Sequence, residues 1–67
     1  MPRKLRQLIG DLERAGFLAL GGKGSHRNYR HPSGARLTLS GAPGDDALPY
    51  QERAVRQALE EVSREGQ

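Results

Sequence analysis

The segment Phe17-Leu18-Ala19-Leu20-Gly21-Gly22-Lys23-Gly24-Ser25-His26-Arg27-Asn28-Tyr29-Arg30-His31-Pro32-Ser33-Gly34-Ala35-Arg36-Leu37-Thr38-Leu39 reads as three short strands with the two turns that join them. Phe17 to Leu20 is an apolar run. Gly21-Gly22-Lys23-Gly24 breaks it, because three glycines in four positions favour a turn with unusual backbone angles. Ser25 to His31 is polar, but Asn28, Tyr29 and the interleaved arginines suit a strand with one wet face. Pro32-Ser33-Gly34 is a hairpin turn of the longer kind. Ala35 to Leu39 alternates, with Ala35, Leu37 and Leu39 on one face and Arg36 and Thr38 on the other.

Helical patterns flank this core of strands. Over residues 2–16, Leu5, Leu8, Ile9 and Leu12 follow the i, i+3, i+4, i+7 spacing of one helical face, and Ala15 extends it. Pro2 is acceptable in a first turn, and Gly16 stands where a left-handed C-terminal cap belongs. Ser40 to Pro49 reads as a loop. A second helix is expected from about Tyr50 to Glu65, with Pro49 in its first turn and Ala54, Val55, Ala58, Leu59 and Val62 as its apolar face. The expected fold class is α+β, ordered α-β-β-β-α, as a single domain over residues 1–67. A three-stranded antiparallel sheet would bury one face under two helices and leave the other to solvent.

At 67 residues the chain allows one small core, and a domain of that size buries only about 60% of the surface its unfolded form exposes. Hydrophobic residues make up 34%, which is lean, yet they are grouped rather than scattered, against full disorder. The absence of cysteine excludes disulfides, thiolate metal sites and cysteine nucleophiles. No apolar run approaches the ~20 residues of a membrane span and no signal-peptide pattern opens the chain, so a cytoplasmic product is expected. The net charge of +3 hides an asymmetry. Residues 1–36 hold eight basic side chains against Asp11 and Glu13, whereas residues 37–67 hold three against six acids. A basic front half suits a polyanion such as nucleic acid, held through its phosphates; the competing reading is a solvated charged surface.

The chemistry-bearing residues concentrate in Gly24-Ser25-His26-Arg27-Asn28-Tyr29-Arg30-His31-Pro32. Histidine has an ordinary pKa near 6.5 and exchanges protons at neutral pH. Among Lys23, Arg27 and Arg30 it could serve acid–base chemistry on a phosphodiester. RNA cleavage needs the 2′-hydroxyl to lose a proton, the 5′-oxygen to gain one and the strained phosphate to be stabilised, a route that requires no metal. By composition alone, a histidine between arginines is more often a surface residue than a catalyst. His26 and His31 would point to opposite faces of one strand and no third ligand lies near, so neither a metal nor a cofactor is expected. Gly21-Gly22-Lys23-Gly24 could cradle a phosphate, but it lacks the P-loop spacing and reads rather as a flexible turn between two strands. Ser25 and His26 are strand neighbours facing opposite ways, which argues against a nucleophile–base pair. Tyr29 could stack on an unpaired base or fill the thin core, and the two readings stand level.

The run from Leu5 through Pro32, above all Leu12-Glu13-Arg14-Ala15-Gly16-Phe17, then Lys23-Gly24-Ser25-His26, then Tyr29-Arg30-His31-Pro32-Ser33-Gly34, resembles the HicA toxin family, the small mRNA interferases of type II toxin–antitoxin systems. The resemblance covers roughly the first forty residues. It implies a fold like that of double-stranded-RNA-binding domains. It also implies a catalytic His26, cleavage of mRNA, and neutralisation by a HicB-type antitoxin. On this reading Lys23, Arg27 and Arg30 hold phosphates of single-stranded RNA, Gly24 and Ser25 bring backbone close to the substrate, and Tyr29 contributes stacking. His31 matches the later His-Pro and is given no catalytic role. A second acid or base is needed, with Tyr29, a lysine or water as candidates. The free toxin is expected to be a monomer. Gly44-Asp45-Asp46-Ala47-Leu48-Pro49-Tyr50 and an acidic last helix depart from the commoner family pattern and resemble a subset of it. Two other readings remain: a non-catalytic RNA-binding module of the same fold, and a protein-interaction domain with a basic front.

Overall fold

The computed structural model describes residues 3–22 and 26–65. Its elements are α1 (Leu5–Arg14), β1 (Leu18–Gly21), β2 (His26–Arg30), β3 (Arg36–Ser40) and α2 (Pro49–Glu65). The α-β-β-β-α order matches the expectation, and the three strands form one antiparallel sheet in the order β1-β2-β3. The element ends differ by a few residues. Pro2 lies outside the described residues, and β3 continues to Ser40 because Ser40 is the register partner of His26.

α1 forms because Leu5, Leu8 and Leu12 fall on one face and all three are buried. The 43–47 segment folds over its N-terminus. The Leu5 N–H donates to the Asp45 carbonyl and the Arg6 N–H to the Pro43 carbonyl, each at 2.9 Å, which satisfies donors a helix start leaves unpaired. Lys4 bridges to Asp46 through backbone pairing and a 2.6 Å ion pair. Gln7 Oε1 accepts the Lys4 N–H at 2.8 Å. The atypical Asp45-Asp46 loop is therefore the piece that closes α1 onto the rest of the chain.

The other end of α1 is a Schellman turn. Gly16 adopts φ +100°, the Gly16 N–H donates to the Glu13 carbonyl at 3.1 Å, and the Phe17 N–H donates to the Leu12 carbonyl at 3.0 Å. Phe17 and Leu12, the apolar pair such a turn brings together, are both buried. Phe17 accordingly belongs to the cap rather than to β1. His31 locks the same turn from the far side. Its Nδ1 accepts the Ser33 N–H at 3.0 Å, so Nε2 carries the proton and donates to the Ala15 carbonyl at 3.1 Å. The imidazole packs on the Phe17 ring with centroids 5.2 Å apart. His31 is a structural clasp between α1 and the β2–β3 turn.

The core joins Leu5, Leu8, Leu12 and Phe17 to Tyr29, Leu39, Ala47, Val55 and Ala58. Leu37 and Leu39 point inward from β3, as the alternation predicts, and Val55 and Ala58 are the buried residues of the expected α2 face. α2 starts with Pro49 in its first turn, followed by the buried Gln51, whose Oε1 accepts the Leu48 N–H at 2.8 Å as in half of a capping box. β1 departs from expectation: it is apolar in sequence, yet all four of its residues are exposed, Leu18 lying in register with the exposed Arg30 and even Ala19, opposite the buried Tyr29, remaining uncovered. No described helix is long and apolar enough to cross a membrane.

Gly10 is the one weak point inside α1. A methyl group there meets the guanidinium end of Arg14 at 3.4 Å, an ordinary van der Waals contact. Gly10→Ala is expected to stabilise the fold by about 1 kcal/mol, from the helix propensity difference. In a domain this small that is a rise in melting temperature of about 4–8 °C in a thermal scan.

Candidate functional site

The uncovered face of the sheet is built by the cross-strand register. His26 lies opposite Ser40, Asn28 opposite Thr38, and Arg30 opposite Arg36. Leu18 of β1 extends the last of these rows beside Arg30. Directly opposed residues share a face, so this ladder presents an imidazole at one end and two guanidinium groups at the other. The rise of about 3.3 Å per strand residue separates the ends by roughly 13 Å.

His26 is exposed, and its Nδ1 lies 2.9 Å from the Ser40 hydroxyl. Among the described residues nothing holds Nε2, the ring nitrogen left to meet a ligand. The middle row is rigid: the Thr38 hydroxyl donates to Asn28 Oδ1 at 2.7 Å and Asn28 Nδ2 donates to the Gly21 carbonyl at 3.2 Å. Arg30 and Arg36 are both exposed, and among the described residues neither has an acidic partner. Like charges directly opposite each other across two strands repel, and an anion between them relieves that repulsion. Three other basic residues of the front half are paired with acids. Arg3 pairs with Asp11 at 2.7 Å, Arg14 also pairs with Asp11, and Lys4 pairs with Asp46.

The sequence-predicted residues divide between the faces. His26 and Arg30 come together on the open side. Arg27 does not: it points to the helix side, half-buried, and donates to the Gly41 carbonyl at 3.1 Å, so its first role is to pin the β3–α2 connection. Tyr29 is a correction. It is 3% exposed and belongs to the core, with no ring face open for a base to stack on. Burial pushes its phenol above the ordinary 10.0, with Arg27 pulling down and Glu13 pushing up, and its place inside the core also removes it as the second acid or base. Lys23, Gly24 and Ser25 lie outside the described residues. Gly22, just before them, leaves no room for a side chain as the backbone stands: a Cβ there would overlap the His26 carbonyl oxygen, and the backbone would have to shift.

Ser40, Arg36 and Gln51 were not singled out from the sequence. The period-2 pattern Arg36, Thr38, Ser40 carries the signal for the first two, once β3 is extended by one residue. Gln51 has no such signal; a buried amide on an amphipathic helix becomes visible only when its partners are known.

No curated protein matches this chain significantly. The family described as the HicA toxin of bacterial toxin–antitoxin systems does match, over residues 5–61 of 67 and thus over α1, the whole sheet and most of α2, and the chain belongs to the HicA toxin family.

Proposed function

We propose that the protein is a metal-independent endoribonuclease that cleaves mRNA through His26 and is neutralised by a HicB-type antitoxin. The observation that carries this reading is the open strand face, where His26 Nε2, without a partner among the described residues, stands in line with the opposed Arg30 and Arg36. An RNA strand laid along the face meets the guanidinium groups with its phosphates and the imidazole with its ribose–phosphate linkage. His26 then takes the 2′-hydroxyl proton or returns one to the leaving 5′-oxygen; the 2′-oxygen bonds to phosphorus as the 5′-oxygen departs. The second proton carrier is Lys23 or water. The antitoxin silences the enzyme by covering this same face.

The test is incubation of purified protein with a long unstructured RNA in EDTA. Cleavage supports the reading, and intact RNA at high enzyme concentration overturns it. Arg30→Ala and Arg36→Ala are each expected to weaken RNA binding and to flatten the dependence of log affinity on log salt by about 0.7, the contribution of one phosphate contact to single strands. A titration at three salt concentrations reads this directly. An unchanged slope would remove the pair from the binding face.

A further inference from the structure

We infer that Ser40 is the positioning residue for His26, and that α2 holds it in place through Gln51; this rests on the nuclease reading above. The nearest serine in sequence, Ser25, lies outside the described residues. Ser40 comes instead from the adjacent strand, fourteen residues away, and its hydroxyl reaches His26 Nδ1 at 2.9 Å. An imidazole on an exposed strand is free to rotate, and a bond at one ring nitrogen fixes where the other one points. A hydroxyl is suited to a ring that gains and loses a proton, because it donates to neutral Nδ1 and accepts from protonated Nδ1–H.

Ser40 is itself immobilised from two sides. Its carbonyl accepts Gln51 Nε2 at 2.9 Å, and the buried Gln51 is anchored in turn by the Leu48 N–H. The next residue, Gly41, has its carbonyl held by Arg27. The end of β3 is thus clamped between the first turn of α2 and the inner face of β2. The connection from the helical layer to the reacting nitrogen runs Gln51, Ser40, His26, with one hydrogen bond at each joint.

The experiment compares wild type, Ser40→Ala and Ser40→Thr by cleavage kinetics and by long-range proton–nitrogen spectra of the histidine rings. Ser40→Ala is expected to lower kcat about tenfold, equivalent to about 1.4 kcal/mol, with KM unchanged. Ser40→Thr, which keeps the hydroxyl and suits a strand, restores the rate to within about twofold. In the spectra the His26 Nδ1 resonance moves in the alanine variant and returns in the threonine variant. An unchanged kcat, a loss confined to KM, or an unmoved resonance overturns the assignment. Failure of wild type to cut RNA is a failure of the nuclease reading instead, and the Nδ1 resonance then still settles whether Ser40 orients the ring.

Discussion

His26→Ala is expected to lower RNA cleavage by about 10²–10⁴-fold, the usual worth of a positioned proton carrier, and to abolish growth inhibition in cells expressing the protein. The fold should survive. His26 is exposed on the uncovered sheet face, its one described side-chain bond is to the Ser40 hydroxyl, and it is not a member of the core. RNA binding should also survive, because Arg30 and Arg36 stand at the far end of the ladder. The combination to look for is therefore uncut RNA, retained affinity and an unchanged melting temperature. Persistent toxicity of the alanine variant would sink the assignment of His26. Intact RNA with wild type and variant alike, both still binding, would leave an RNA-binding module of this fold.

The second large effect concerns Tyr29, and two substitutions separate its alternatives. Tyr29→Ala empties the centre of the core between the leucines of α1 and Leu39, at a cost of about 3–5 kcal/mol by analogy with other aromatic truncations. Small domains have total stabilities near the low end of about 5–15 kcal/mol, so this variant should be largely unfolded by circular dichroism. Tyr29→Phe keeps the ring and should bind and cleave RNA as wild type does. A stacking role would predict the reverse: a folded alanine variant with weakened RNA affinity. The phenol adds a pH signature. Because burial raises its pKa in the folded state, the contribution is intact below about 10 and is lost as pH rises beyond that, when only the unfolded chain readily gives up the proton. Tyr29→Phe should remove this part of the alkaline loss of stability, as measured by urea unfolding across the alkaline range.

The two exposed leucines of β1 show how far burial depends on neighbours. Leu18 and Leu20 remain 62% and 59% exposed although their stretch of chain reads as the most apolar strand. Their hydrophobicity made a strand there legible, but being covered is a property of the sheet order and of where two short helices reach. Leu18 stands in register with the outward-facing Arg30, on the side of the sheet away from the helices, while the helices pack on Tyr29 of β2 and Leu39 of β3.

Local patterns were enough for α1, its Gly16 cap, the alternation of β3 and the Pro49 start of α2, because each follows from contacts within a few residues. Helical spacing, a left-handed glycine and period-2 alternation act through chain geometry alone. The face of His26 was not legible in that way. His26-Arg27-Asn28-Tyr29-Arg30 has no apolar alternation, and Tyr29 alone could have pointed either way. Pairing with β3 resolves it: Tyr29 falls in register with Leu37, goes inward with it, and the period of two turns His26 outward. The same pairing carries Ser40 to His26 and separates Arg27 from Arg30. The site is a product of strand register, an interaction between residues six to fourteen positions apart that no pattern within one strand encodes.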